Sequence, residues 1–163
     1  EVLPHRDMDT LRGIEGSRVK ATYQLMAQRY GIEWKGRRYD RANPNAADIP
    51  NQAINHAATA VQAAAAIAVQ AVAAIPQLGF IHEDSGQSFV LDIADLFRDS
   101  ITLQIAFNVA KKAETDNQTV DRLVRREAAT VFRKQSVIPA MIDRIKQVIR
   151  MEETHAPGHD RDA

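Results

Sequence analysis

Two aspartates, Asp92 and Asp95, stand three residues apart in the stretch FVLDIADLF. On a helix this spacing places both carboxylates on one face, within reach of a shared ion. The rest of the stretch is apolar, and carboxylates are rarely buried without a partner. They therefore need a cation, either a metal ion or a basic side chain. Arg98, three residues after Asp95, could supply that charge through a structural ion pair, so both interpretations stay open.

A histidine can join this pair. His82 lies ten residues before Asp92, and the turn predicted at Ser85 and Gly86 lets the chain fold His82 back over the same face. A lone histidine after two apolar residues is more often a packed core residue than a ligand. Both roles remain possible from the sequence.

A third carboxylate, Glu15, occurs in the stretch LRGIEGSRV, with Arg12 and Arg18 one helical turn on either side. The arginines can pair with Glu15, or they can hold phosphates while Glu15 holds an ion. Gly13 and Gly16 each cost a helix about 1 kcal/mol relative to alanine. We expect them to allow close approach, either of another backbone or of a metal and a phosphate.

These residues together offer few protein ligands and leave room for water and substrate. Mg²⁺ and Mn²⁺ are commonly held in this way at phosphoryl-transfer sites. A divalent-metal phosphodiester site is thus one interpretation, beside the ion-pair one.

The elements that carry these residues are predicted to be helical, because no stretch alternates as a sheet strand does. Caps, glycines and apolar spacing predict five helices: from Asp9 or Thr10 to Tyr30 before Gly31, from a cap at Asn51 to a stop at Pro76, over 88–113, from about Thr119 to Arg133, and over 137–153.

The second of these helices contains twelve alanines in the 22 residues from Ala53 to Ala74. It carries no charge, but alanine is barely apolar, and Gln62 and Gln70 interrupt the segment, so a membrane span is rejected. A thin helix of this kind is expected to be buried on several sides, with close neighbours.

The chain has 163 residues and no cysteine, which indicates one domain without disulfides or thiol chemistry. We predict an all-α, multi-helix catalytic domain over 1–153 and a disordered polar tail over 154–163. Because the first residue is Glu1, we expect the sequence to be a fragment of a longer protein.

Charge is unevenly distributed although the net charge is zero. No Lys or Arg occurs from Ala42 to Phe97, whereas basic residues are in excess on both sides of that window. This layout suits a carboxylate centre flanked by anion-binding surfaces, which suggests nucleic acid. Solvated helix faces of mixed charge would produce it as well.

Three motifs in order, LRGIEGSRV, WKGRRYD and GFIHEDSGQSFVLDIADLF, closely resemble the CRISPR-associated spacer-acquisition integrases (the Cas1 family), particularly their type I-E branch. The resemblance runs from about Leu11 to Arg133. It implies an all-helical catalytic domain, and the N-terminal β-rich domain of that family has no counterpart in this sequence.

The resemblance also implies a metal site for Mg²⁺ or Mn²⁺. The family's ligands correspond to Glu15, His82 and Asp95, and Asp92 matches a further acidic residue needed for activity. The implied function is a cytoplasmic prokaryotic DNA endonuclease and integrase that inserts spacers by transesterification. Its implied partners are DNA (spacer precursor and CRISPR repeat), a second copy of the chain and the small protein Cas2, without a membrane.

Basic residues are expected to bind the DNA backbone or a strand end, namely Arg12, Arg18, Arg37, Arg38, Tyr39 (an aromatic partner to the cations), Arg98, Arg122, Arg125 and Arg126. Two non-enzymatic functions remain as alternatives. One is a helical DNA-binding module whose carboxylates only pair with arginines, and the other is a scaffold whose alanine-rich face packs on a partner.

Overall fold

The described part of the chain, residues 8–38, 47–83 and 85–153 of a computed structural model, folds as helices connected by loops. No strand occurs in these ranges, so the all-α prediction is confirmed. The tail over 154–163 lies outside them. The helices are α1 (Met8–Tyr30), α2 (Ile49–Ala71), α3 (Ser88–Leu96), α4 (Leu103–Lys112), α5 (Val120–Lys134) and α6 (Val137–Glu153).

Helix α1 ends where the sequence predicts. Gly31 adopts φ +65°, a left-handed conformation that glycine tolerates without strain. Its amide donates to the carbonyl of Gln28, and the amide of Ile32 donates to that of Ala27. This pair of hydrogen bonds is a Schellman motif, which satisfies the last carbonyls of the helix.

Helix α2 is the centre of the molecule. It packs against α3, α4, α5 and α6, and its alanines include residues with no exposed surface, such as Ala57, Ala65 and Ala68. The small side chains let four helices approach one axis closely, as predicted. The alanine-rich face is therefore covered by this chain's own helices, which contradicts a scaffold that offers it to a partner.

Both predicted ends of α2 are wrong. The N-cap is Asp48, whose carboxylate accepts the backbone N–H of Asn51 at 3.1 Å. Both residue types are good caps, so spacing alone did not separate them. At the other end the helix stops at Ala71, five residues before Pro76, because Ala73 turns the chain with φ +56°.

The single long helix predicted over 88–113 is interrupted. Between α3 and α4 the segment Arg98–Thr102 forms one π-helical turn, in which the amide of Thr102 donates to the carbonyl of Phe97. Such turns are rare and often occur at functional sites. Here the turn separates α3, which carries Asp92 and Asp95, from α4, whose Phe107 is completely buried in the core.

Among the described residues, no helix has the length and apolar character that a membrane crossing requires.

Candidate functional site

The carboxylate of Asp92 anchors the connector between α2 and α3. Its Oδ2 accepts the backbone N–H groups of Phe80 at 2.5 Å and Ile81 at 3.1 Å, and its Oδ1 accepts that of His82 at 3.1 Å. Asp92 is only 7% exposed. Three successive amides thus wrap one buried carboxylate, which fixes the connector on α3.

Gly79 makes this wrapping possible, and its role was missed from the sequence. A Cβ at this position would lie 2.6 Å from the carbonyl oxygen of His82 and 2.6 Å from the Cβ of Ser88. The first neighbour is backbone of a residue that Asp92 holds in place, and the second is the Cβ of a residue on α3, so a side chain here would force one of them to shift. A glycine just before an apolar pair and a histidine was the available signal, but its reason is visible only in three dimensions.

The ring of His82 completes the shell around Asp92, as the predicted fold-back requires. Its Nδ1 lies 2.6 Å from Oδ1 of Asp92. Burial opposes ionisation of Asp92, but the His82 ring and the three amides outweigh it and lower the pKa of that carboxyl. An ionised carboxylate only accepts hydrogen bonds, so Nδ1 of His82 carries the proton. In the neutral ring, Nε2 then has the free lone pair.

Asp95 lies on the far side of this ring. Its Oδ2 is 3.9 Å from Nε2 of His82, and its Oδ1 accepts from the guanidinium of Arg98 at 2.5 Å. A Mg²⁺-type ion sits about 2.1 Å from each ligand. A separation of 3.9 Å between Nε2 of His82 and Oδ2 of Asp95 is therefore compatible with one ion between them. Oδ1 of Asp95 is paired with Arg98, which is the contact that the ion-pair interpretation predicted.

Asp95 and Arg98 line a cleft of about 300 Å³ between α1, α2 and α3. Tyr23 of α1, Arg37 of the following loop and Thr102 of the π-helical turn supply further polar groups. The described lining of the cleft thus combines one carboxylate with two guanidinium groups. Such a set can hold a phosphate beside a cation-binding carboxylate.

Arg37 is held rigidly at the edge of this cleft. Its Nη1 donates to Oδ1 of Asn51 at 3.0 Å, and its Nη2 donates to Oδ1 of Asn55 at 2.6 Å. Asn51, completely buried, also accepts the backbone N–H of Arg38. The residue predicted to cap α2 therefore fastens the arginine loop instead.

Of the three predicted metal ligands, two have side chains within the described part of the chain. His82 and Asp95 face each other with donor atoms that suit Mg²⁺ or Mn²⁺, whereas the side chain of Glu15 lies outside the described residues. Within the described ranges, no three His, Asp or Glu side chains are grouped as a complete ligand set. The two donors fit the implied ion, and Glu15 on α1 remains the predicted third.

The glycines that flank Glu15 do not serve close helix packing. At Gly13 and at Gly16 a Cβ would meet nothing within 4 Å. The expectation that another backbone approaches α1 there is wrong, because both positions lie on an exposed face. Arg18, also exposed, lies 3.9 Å from Asp99 of the π-helical turn.

The remaining predicted DNA contacts are dispersed. Arg125 pairs with Asp121 and Arg126 lies 3.7 Å from Asp116, both on the exposed side of α5. Arg122 is exposed on the same helix. No α5 residue lines the cleft, so these three arginines form a separate surface. The side chains of Arg12 and Tyr39 lie outside the described residues.

Comparison with known proteins matches this chain to one family. The family model described as CRISPR associated protein Cas1 matches residues 1–146. The CRISPR-associated endonuclease Cas1 of Geobacter sulfurreducens is 37% identical over 144 residues, covering 88% of this chain and 46% of the relative. That of Escherichia coli K12 is 36% identical over 158 residues, covering 97% of this chain and 51% of the relative.

Solved structures agree with these matches. The crystal structure of a TtCas1–DNA complex superimposes with a TM-score of 0.81 at 32% identity, covering 91% of this chain and 56% of that one. The chain spans about half the length of the curated relatives it matches. On the family match and these identities, the chain belongs to the CRISPR-associated Cas1 family.

Proposed function

We propose that this chain is the catalytic part of a divalent-metal-dependent DNA endonuclease and integrase of CRISPR adaptation. Support comes from relatives named CRISPR-associated endonuclease and from the structural neighbour described as a complex with DNA. Cleavage and strand joining are the same reaction at phosphorus, with water or a 3′-hydroxyl as the nucleophile. One site can therefore serve both.

The observation that carries this proposal is the geometry of His82. Its Nδ1 is held by Asp92, and its Nε2 is directed toward Oδ2 of Asp95 at 3.9 Å. Metal-ligating histidines commonly donate the other ring nitrogen to a carboxylate in this way, which fixes the tautomer and the ring plane. A histidine that served only packing would not need one ring nitrogen on a carboxylate and the other facing a second carboxylate.

In the proposed site His82, Asp95 and Glu15 hold Mg²⁺ or Mn²⁺, and Asp92 positions His82. The bound ion would act as a Lewis acid toward the phosphate and favour deprotonation of the nucleophile. Arg98 and Arg37 border the cleft and stabilise negative charge on the phosphate oxygens as it builds up.

The finer assignments belong to this proposal as well. The motifs favour the type I-E branch and the C-terminal half of the family's proteins. In the complete protein we propose a homodimer that binds Cas2 and acts on spacer-precursor DNA and the CRISPR repeat in the cytoplasm. The arginines of α5 would track the DNA backbone at a distance from the cleft.

DNA cleavage by the 163-residue chain tests this proposal. Branched and linear substrates are incubated with Mn²⁺, Mg²⁺ or EDTA, for the native chain and for His82→Ala. The matched control is His56→Ala, because His56 is exposed to a similar degree (35% against 33%) and also lies near an aspartate, 3.9 Å from Asp121.

We expect metal-dependent cleavage that is lost in His82→Ala and kept in His56→Ala. Mn²⁺ binding is measured by calorimetry in parallel, so that loss of cleavage can be assigned to the site rather than to DNA binding. Absence of both cleavage and Mn²⁺ binding in the native chain would overturn the proposal.

A non-enzymatic DNA-binding module is the second candidate, and the Asp95–Arg98 ion pair favours it. In that function Asp95 only neutralises Arg98, and DNA binding depends on salt but not on metal. This second function predicts that DNA binding is unchanged by EDTA and by the substitution Glu15→Ala.

A further inference from the structure

The π-helical turn carries a buried threonine that the proposed reaction does not use. Thr102, the last residue of the turn, is only 4% exposed. It nevertheless lines the cleft that contains Asp95 and Arg98. A buried hydroxyl needs a hydrogen-bond partner, which is either another group of the protein or a bound ligand.

Four other hydroxyl groups in the described helices satisfy this need within their own helix. Each donates to the backbone carbonyl four residues earlier, at a distance between 2.9 and 3.1 Å. They belong to Ser17, Thr22, Thr59 and Thr130. Such a bond occupies a helical hydroxyl without help from a neighbouring element or a ligand.

The geometry of the π-helical turn removes this solution at Thr102. Its backbone N–H donates at 3.2 Å to the carbonyl of Phe97, five residues earlier. The carbonyl of Arg98, four residues earlier, receives the N–H of Leu103 instead. Because the turn is wider than an α-helical one, that carbonyl does not lie where the Thr102 hydroxyl would reach it in an α-helix.

The Thr102 hydroxyl is left open to the cleft. No hydrogen bond within the described part of the chain uses it. The described side-chain atom that is enclosed without a partner is Nδ2 of Asn55, so Oγ1 of Thr102 keeps some accessible surface. Since Thr102 is otherwise buried and lines the cleft, that surface faces the cleft.

The surroundings of this hydroxyl favour an anionic ligand. A π-helical turn holds between four and five residues, so Arg98 and Thr102 lie on nearly the same face of it. Both line the cleft, and the Arg98 guanidinium stands there beside Asp95. A phosphate bound by Arg98 would therefore enter on the face that also presents the hydroxyl. Threonine hydroxyls are common donors to phosphate oxygens.

We propose that the π-helical turn presents Thr102 to the substrate, and that its hydroxyl donates a hydrogen bond to a non-bridging oxygen of the reacting phosphate. This inference rests on the proposed function for the identity of the ligand. Thr102 holds the phosphate beside Asp95 and transfers no proton. The inference adds a substrate contact that the sequence motifs did not indicate, and it gives the extra residue of the turn a function.

Three substitutions test this contact. Thr102→Val keeps the shape of the side chain and removes the hydroxyl, whereas Thr102→Ser keeps the hydroxyl and removes the methyl group. Thr115→Val is the matched control, because Thr115 is exposed outside the cleft and its hydroxyl donates to the carbonyl of Lys112 in its own turn. Thermal unfolding and single-turnover cleavage with Mn²⁺ are measured for each variant.

We expect Thr102→Val to unfold at the native temperature or above it, because the hydroxyl that it loses has no partner in the described protein. Its cleavage rate should fall roughly 10-fold, the effect of one neutral hydrogen bond. Thr102→Ser should recover most of that rate, and Thr115→Val should cleave as the native chain does. A native rate in Thr102→Val would overturn the inference. So would a lower unfolding temperature, because it would assign the hydroxyl a structural role.

Binding is measured without catalysis by NMR of threonine methyl groups labelled with ¹³C. The 5′-phosphorylated dinucleotide pTpT is titrated in EDTA, and the Thr102 resonance is identified by its absence from Thr102→Ser. We expect this resonance to shift while that of Thr115 does not. A shift without cleavage after Mn²⁺ is added would reject the proposed reaction and keep the phosphate contact. Cleavage without a shift would overturn the contact and keep the reaction, and absence of both would overturn both.

Discussion

The imidazole of His82 and the carboxylate of Asp92 are joined through Nδ1 and Oδ1 at 2.6 Å, while Nε2 of the same ring is left toward Asp95. The four residues proposed for chemistry therefore have unequal roles. Asp92 is occupied by backbone and ring donors, which makes it a positioning residue. Among those with described side chains, His82 and Asp95 are the ones whose donor atoms face each other.

Asp92→Asn should test this role through stability as well as activity. An amide cannot accept all four hydrogen bonds, so we expect a loss of about 1–3 kcal/mol in the free energy of unfolding at neutral pH. DNA cleavage should fall with it, because the His82 ring loses its orientation. Urea unfolding measures the first effect. Unchanged cleavage would contradict the positioning role, and native stability would contradict the role of Asp92 in holding the connector.

The pH dependence of that difference follows from the lowered pKa of Asp92. A depressed pKa stabilises the fold above the unfolded-state value of 3.8 and loses this effect as pH falls through the folded value. The stability gap between the native chain and Asp92→Asn should be constant from pH 5 upward and narrow on acidification below about 4. A gap that widens in acid would contradict the assignment.

Gly79→Ala and Gly16→Ala form a matched pair of glycine substitutions. At Gly79 the new methyl would meet backbone at 2.6 Å, so we expect a clear loss of stability and of cleavage. At Gly16 nothing lies within 4 Å, so the α1 helix should gain about 1 kcal/mol. Thermal unfolding separates the two. A further substitution, Gly16→Leu, fills the open space beside Gly16. Loss of cleavage in this variant at native stability would show that the substrate uses that space.

Ala64→Leu and Ala63→Leu distinguish the buried and exposed sides of α2. Ala64 is 2% exposed among four packed helices, so extra methyl groups should destabilise the fold by about 1–3 kcal/mol. Ala63, its exposed neighbour, should tolerate leucine within about 0.5 kcal/mol. Equal effects at the two positions would mean that α2 is not enclosed as described.

Arg98→Ala addresses the ion pair with Asp95. Both side chains are more than one-third exposed, so the cost to stability should stay under about 1 kcal/mol. Cleavage should fall by about 10²-fold, since a donor beside the reacting phosphate is lost. Arg125→Ala removes a comparable pair on α5 and should leave cleavage near native, as measured by single-turnover kinetics.

Much of this architecture follows from local patterns. The charge-free alanine segment predicted an enclosed helix, Gly31 predicted the end of α1, and the turn before Ser88 predicted that His82 returns over Asp92. Each inference used residues close in sequence and one strong physical preference. These are the cases in which a sequence alone is most informative.

The rest depends on distant neighbours. Asp48 and Asn51 are equivalent as caps until Asn51 is needed by the arginine loop. Gly13 and Gly16 look like packing glycines, yet the tight position is Gly79. The apolar spacing over 88–113 also fits a straight helix. The one extra residue of a π-helical turn leaves no mark in the composition that would reveal it.

That turn makes the segment Arg98–Thr102 the place where the path from α3 to α4 can change its length. A π-helical turn accommodates one residue more than an α-helical path over the same rise. Deleting one residue there would let α3 and α4 merge into a continuous helix that keeps Asp95 in the cleft and Phe107 in the core. The same deletion between Leu103 and Phe107, where the path is already α-helical, would rotate the residues beyond it by about 100° and remove Phe107 from the core.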